Sequence, residues 1–264
     1  MTDDFPPDDD RPRRWPRGGA TPAKKKPKTL VIVLIVVGVL SLCACVPLAL
    51  LIPGLSMLRD SAAREKGANN MKQIGLGQHM VQDVTGGMVG PYAVGADRAQ
   101  TVNKELSFRV SLLPYIEQGA VYQQFDLTQA WDSPRNAAGA AAHVAAYDYP
   151  HTSDRTKSVT PYRVFYGGGA IFEADGKPVS LASVADGVSN TILFVHATEE
   201  VRWAKPQEFA YSRTTALPPL GLPRQGGFNA AFADGSVRYI RGAIPEADLR
   251  SLIEKADGRG AGIE

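Results

Sequence analysis

Residues Leu30 to Leu58 form an uninterrupted uncharged run. No other feature constrains the chain as much. Its first part, LVIVLIVVGVLSLCACVPLALLI, is long enough to cross a bilayer as a helix, because roughly 20 apolar residues span a hydrocarbon core about 30 Å thick. Charge sets the orientation. Arg11, Arg13, Arg14, Arg17, Lys24, Lys25, Lys26 and Lys28 crowd the amino-terminal flank, whereas Arg59, Arg64, Lys66 and Lys72 on the other flank are interleaved with Asp60 and Glu65. The amino terminus is expected in the cytoplasm and the carboxy-terminal bulk outside the inner membrane, in the periplasm. A cleavable signal peptide has a shorter apolar core ending at a small-x-small site, and here the apolar run continues. A lipoprotein signal around Cys45 is set aside for the same reason, since VPLALLIPGL follows where a processed chain turns polar.

Three segments follow from this anchor: a disordered cytoplasmic tail over 1–28, a transmembrane helix over 29–53 and an extracytoplasmic domain over 54–264. The tail mixes acidic and basic clusters with proline and glycine and has almost no aliphatic residues, so it cannot offset the entropy of ordering. The formal net charge of +2 is concentrated there, which leaves the remainder slightly acidic. Nucleic acid is therefore excluded as a partner of the outer domain. Cys43 and Cys45 both lie inside the apolar run, so that domain forms no disulfide of its own.

Beyond the anchor, Leu55, Leu58 and Ala62 and then Ala68, Met71 and Gly75 recur at i, i+3 and i+7, which predicts that the helix continues outward. Pro47 and Pro53 are candidate kinks. Gly75 and Gly77 each cost about 1 kcal/mol relative to alanine in a helix interior, which suggests close approach to other backbone. Val84 to Gln100 reads as a loop. Phe108 to Phe125 reads as short helices broken near Pro114 and Gly119, and Ala137 to Ala146 as a further helix.

The second half changes period. Tyr162 to Tyr166 and Thr191 to Val195 are β-branched and aromatic runs bounded by turn formers, hence strands. Phe228 to Ala233, then Asp234-Gly235, then Ser236 to Ile240 predicts a hairpin closed by a two-residue type I′ turn, with Phe228, Ala230 and Phe232 on one face. A last helix starts at Pro245, keeps Leu249, Leu252, Ile253 and Ala256 on one stripe, and stops at Gly258.

The segments LIPGLSMLRDSAAREKGANNMKQIGLGQH, LLPYIEQ with WDSPRN, ADGVSNTILFV and GGFNAAFADGSVRYI resemble, in that order, a large planctomycete family built on domain of unknown function 1559. Its members are similar to type II secretion pseudopilins at the amino terminus and often end in His, nine residues, then Asp-Gly. The resemblance implies a pilin-like layout. The chain departs from the pattern in three places. The prepilin-peptidase motif is absent from the apolar run; Arg224 stands where the terminal motif has its histidine; and Gly67 and Tyr149 stand where many members carry cysteines. The joint loss of those cysteines is what a dispensable disulfide pair implies.

Candidate chemistry is sparse. His79, His143, His151 and His196 form no close-spaced ligand pair, and His196 with Glu199 and Glu200 is the nearest approach to a site. Strand-end solvation accounts for that group. Asp186 to Thr191 lacks the alternation and closing glutamate of a calcium loop and reads as an Asp-Gly turn. Neither Ser189 nor Ser236 is spaced to a histidine as a nucleophile, and Tyr166-Gly167-Gly168-Gly169 lacks the lysine and helix of a phosphate loop. Trp131, Trp203 and Tyr162 are candidates for a groove that takes a peptide or sugar. No residue is assigned as catalytic, cofactor-binding or metal-binding.

The expectation is an α+β fold: a single amino-terminal transmembrane helix continuing into a long helix packed on a mainly antiparallel β-sheet. The expected role is that of a non-enzymatic structural or interaction protein of the envelope. Its expected partners are the lipid bilayer and other envelope proteins or copies of itself. A membrane-anchored solute- or carbohydrate-binding module is the alternative.

Overall fold

The computed structural model describes residues 28–95, 101–150, 158–222 and 225–258; within the first stretch, the side chains at 28–30, 40 and 42–57 are outside the description. The tail over 1–27, His151 and Arg224 lie outside the described residues. Helix α1 runs from Lys28–Thr85. The chain divides into two compact units, one ending at Gly54 and the other beginning at Leu55.

In the first unit, the described side chains of the apolar run are those at 31–39 and 41, and all are exposed. Among the described residues no helix is long and apolar enough to cross a membrane. Ten described side chains are about half of the roughly 20 a crossing requires, and most of the expected span over 29–53 falls among the others.

The second unit is mixed helix and antiparallel sheet, an α+β fold. After α1 come β1 (Tyr92–Val94), β2 (Val102–Ser107), α2 (Phe108–Leu112), α3 (Gly119–Tyr122) and α4 (Ala137–Ala141). Then follow β3 (Val159–Arg163), β4 (Phe165–Tyr166), β5 (Ile192–Arg202), β6 (Phe209–Ala210), β7 (Gly227–Phe232), β8 (Val237–Arg241) and α5 (Glu246–Ile253). The main sheet has the order β3-β5-β7-β8, antiparallel throughout. Two-stranded pairs β1-β2, antiparallel, and β4-β6, parallel, lie outside it.

Alternation along the central strands gives the sheet two apolar faces. Ala231 and Ala233 join Met71 and Ile74 of α1 in one core cluster, with Tyr149, Tyr162, Phe194 and Trp203. Phe228, Ala230 and Phe232 form a second cluster with Leu249, Leu252 and Ile253 of α5. The sheet is thus covered by α1 on one side and α5 on the other. The common face expected for Phe228, Ala230 and Phe232 is the α5 face.

The buried side of α1 includes the second half of the expected stripe, where Met71 and Gly75 are buried, and differs from the first half. Leu58 is 68% exposed and Ala62 is exposed, whereas Ala63, Gly67, Asn70, Ile74, Gln78 and Val81 face inward. An apolar-only pattern missed this because two of the seam residues are amides with satisfied bonds. Asn70 donates from Nδ2 to the carbonyls of Ala145 (3.1 Å) and Asp148 (2.7 Å). Gln78 accepts from Val89 N (3.0 Å) and donates to Val89 O (2.7 Å). Buried amides are tolerated when paired in this way.

Loops and turns also depart in detail. Val84 to Gln100 is not all loop, since α1 reaches Thr85 and β1 follows. The hairpin between β7 and β8 is closed by three residues, not two. Phe232 N donates to Ser236 O, and Gly235 alone has a positive φ, 82°. A type I′ turn needs positive φ at both central residues, whereas a three-residue loop needs one left-handed glycine. The last helix ends at Ile253, five residues before Gly258, because Glu254 turns extended and bridges to Ala170.

A buried ion pair ties the helical segment to the sheet. Arg109 and Glu208 have side chains only 1% exposed and meet as a fork, Nη1 to Oε1 at 2.7 Å and Nη2 to Oε2 at 3.2 Å. Arg109 also donates to Ser107 Oγ and to the carbonyl of Tyr162, while Glu208 accepts from Val164 N. With the remaining donors and lone pairs engaged, the cost of burying both charges is largely met.

Candidate functional site

The seam between α1 and the sheet brings together Gly67, Tyr149, Tyr162 and His196. At Gly67 a Cβ would lie 2.5 Å from Tyr149 Cε2 and 2.9 Å from Cδ2, so the helix backbone rests directly on that ring. The Tyr162 hydroxyl, with one proton to donate, lies within hydrogen-bond reach of the carbonyls of both Gly67 (3.3 Å) and Asp148 (3.1 Å). His196, on β5, lies beneath, its ring centroid 4.2 Å from that of Tyr149 and 6.2 Å from that of Tyr162. Burial pushes its pKa down to about 4, because the cation would lose its hydration without gaining a counter-ion. Burial likewise drives the Tyr162 hydroxyl far above its usual range. These are the properties of a packed, neutral seam.

The positions at which the resembled family carries cysteines, Gly67 and Tyr149, are thus in contact. This is the proximity that the joint loss of those cysteines implied. Of the two glycines expected at a close approach, Gly77 is crowded, since a Cβ there would stand 2.9 Å from the Ile116 side chain, whereas one on Gly75 would meet only Gly235 Cα at 3.9 Å.

The histidines do not converge. His196 is buried while Glu199 and Glu200 on the same strand are exposed, so that trio is not a site. His143 Nε2 pairs with Asp148 Oδ2 at 2.5 Å on the surface. His79 reaches the hairpin, with Nε2 3.3 Å from where a Cβ on Gly235 would stand. Ser236 is the next residue after that glycine. Both His79 Nε2 and Ser236 Oγ are buried without a hydrogen-bond partner, so the nucleophile-to-base bond of a hydrolase is not made. Among the described residues no group of three or more His, Cys, Asp or Glu is placed to hold a metal.

The turn motifs serve the fold. The carboxylate of Asp186 accepts from the backbone of Asp257 (2.6 Å) and Gly258 (2.9 Å), and Asn190 donates to Asp186 O (3.2 Å). Gly167, Gly168 and Gly169 all have positive φ, and the last accepts from Lys255 N, so the strand exit after β4 holds the end of α5.

The proposed aromatic groove is not present. Trp203 is 1% exposed, donates from its indole to Ala142 O (3.0 Å) and packs against Phe125 and Tyr147. Tyr162 is core, and Trp131 is half-buried under Lys205. An amphipathic ring suits a groove, but the polar tips of Trp203 and Tyr162 are satisfied by backbone inside the domain. Among the described residues an open depression of about 300 Å³ is lined by Arg213, Arg250, Ser251, Glu254 and Asp257, with Arg213 held on Glu254 at 2.5 Å, and two others have more aliphatic walls. One, of about 500 Å³, is walled by Leu217, Leu220, Phe228, Ile244 and Leu249. Arg250 at its rim is fully engaged, with Glu246 (2.9 Å), Ser212 O (3.0 Å) and Thr215 O (2.7 Å). The other, of about 350 Å³, lies under the end of α1 between Val81, Val89, Pro114 and Tyr122. Neither gathers the several convergent polar groups that fix a small ligand.

The outer face of α1 is the remaining unusual surface. Leu76, Met80 and Val84 are 61%, 44% and 65% exposed, one turn apart.

Residues 58–171, less than half of the chain, match a family model described as a protein of unknown function (DUF1559). No curated protein and no solved structure matches the chain.

Proposed function

We propose that this chain is a single-pass protein of the cell inner membrane, with its amino terminus in the cytoplasm. In this reading the outer domain acts by association and not by catalysis. The observation that carries it is the uncharged run from Leu30 to Leu58 with its one-sided basic flank. The described side chains from Val31 to Val39 are exposed aliphatics apart from Gly38, which is the character required of a lipid-facing helix.

The match over 58–171 supports kinship with a family of unknown function, and the pseudopilin likeness comes from the resemblance in the sequence. A helix seated on an antiparallel sheet is in keeping with a pilin-like layout. Assembly by the prepilin route is not part of the proposal, since the apolar run lacks the processing motif. The lipid bilayer is the first partner, followed by envelope proteins or further copies of the chain.

Alkaline carbonate extraction of native membranes tests the tether. The full-length chain is expected to stay in the membrane pellet. Quantitative release into the wash would overturn the proposal.

A further inference from the structure

Arg163 ends β3, the outer strand of the main sheet, and lies across from Val195 of β5. The residue is 5% exposed, and its guanidinium is stacked on the ring of Phe209, with Cζ 3.6 Å from the ring centroid. Among the described residues it makes no hydrogen bond and no ion pair. Its Nε is buried without a partner, whereas the two Nη atoms, equally unbonded, are not sealed from solvent.

The neighbouring charges leave this cation unbalanced. Glu208 and Arg109 both act on it, but the carboxylate oxygens of Glu208 are taken by Arg109 and by Val164 N. Glu199, exposed on β5, acts on it less and makes no ion pair with it. Two buried guanidiniums therefore share one buried carboxylate, an excess of one positive charge. Burial accordingly holds the Arg163 pKa below the ordinary arginine value despite the nearby Glu208. Stacking on a ring offsets part of the cost of burying a cation, but it leaves the N–H donors unmet. Buried charges are normally both paired and hydrogen-bonded.

We propose that Arg163 is a binding site for a single carboxylate group of a small solute. Three features select that chemistry. The end of a guanidinium offers two parallel N–H donors, which match the two oxygens of a carboxylate. One negative charge balances the cluster of Arg109, Arg163 and Glu208, whereas a phosphate dianion overshoots it. With only 5% of the residue exposed, one small group can reach it and the face of another protein cannot. Occupancy of the site does not depend on the tether proposed above.

Thermal unfolding of the detergent-purified full-length chain at pH 8 in sodium acetate, with sodium chloride at equal ionic strength as the reference, tests the site. Acetate should raise Tm saturably, by about 3–6 °C at roughly ten times its Kd, and inorganic phosphate should give a smaller shift. Arg163→Met keeps the bulk beside Phe209 and should abolish the acetate shift. In chloride its Tm should be unchanged or higher, because an unpaired buried charge has been removed, whereas loss of a purely structural arginine would lower it. Arg163→Lys keeps the charge without the fork and should raise the acetate Kd about tenfold. The proposal would be overturned by no acetate shift beyond that in chloride, by an equal shift in Arg163→Met, which would mean an adventitious ion only, or by a larger shift with phosphate than with acetate. A lower Tm of Arg163→Met in chloride, or an acetate Kd unchanged in Arg163→Lys, would overturn it as well.

Discussion

Replacing Gly67 and Gly75 by alanine, one at a time, sets helix propensity against packing at two sites on the same helix. Alanine recovers about 1 kcal/mol of helix propensity at either position. At Gly75 nothing opposes this gain, since the nearest atom to a new Cβ is Gly235 Cα at 3.9 Å, an ordinary contact. At Gly67 the new Cβ would stand 2.5 Å from Tyr149 Cε2. The ring cannot swing aside easily, being 3% exposed, stacked on His196 at 4.2 Å and joined through its hydroxyl to Gln225 at 2.8 Å. Overpacking of this kind costs about 1–3 kcal/mol, so Gly67→Ala should be neutral to about 2 kcal/mol destabilising while Gly75→Ala gains about 1 kcal/mol. At roughly 2–4 °C per kcal/mol for a domain of this size, the two melting temperatures should differ by roughly 2–12 °C, with Gly75→Ala the higher. Thermal unfolding of the detergent-purified chain, followed by tryptophan fluorescence, measures the difference. If Gly67→Ala raised Tm as much as Gly75→Ala, α1 would not be seated on Tyr149.

Three further outcomes follow from the same packing. Glu208→Gln leaves the Arg109 guanidinium buried without its counter-charge and should cost about 3–5 kcal/mol in chemical denaturation; a change below about 1 kcal/mol would show that the pair is not buried. The depressed pKa of His196 means that its neutral form stabilises the fold above the ordinary value of 6.5, and that this stability is lost as pH falls towards about 4. Lowering pH from 7 to 5 should cost about 2 kcal/mol from this residue, and His196→Gln should abolish that component of the pH profile. Lastly, Gly67→Cys with Tyr149→Cys should form an intramolecular disulfide under mild oxidation, seen as a mobility shift that reductant reverses; free thiols after oxidation would contradict the contact between these positions.

Much of the fold was legible because it rests on local chemistry. Asp234-Gly235 marked its hairpin, Pro114 and Gly119 divided the helical stretch, and Leu249, Leu252 and Ile253 marked the inner stripe of α5. The face of α1 was legible only in part, through Met71 and Gly75. Its seam is built from Gly67, Asn70 and Gln78, and an amide becomes a good inward residue only once partners remote in sequence, such as the carbonyls of Ala145 and Asp148, are in place. For the same reason Trp203 and Tyr162 were misplaced at a surface: whether an aromatic polar tip meets water or a buried carbonyl is decided by tertiary packing. The nearness of His79 to the Gly235 turn likewise depends on how α1 crosses the sheet, which periodicity alone does not fix.

The central claim is that a membrane helix holds the domain outside the cytoplasm, and protease treatment of intact spheroplasts tests it most directly. With a tag at each end of the chain, the account predicts loss of the carboxy-terminal tag and survival of a short amino-terminal fragment containing the tail and the apolar run. Protection of the carboxy-terminal tag, with digestion only after the membrane is opened, would contradict it.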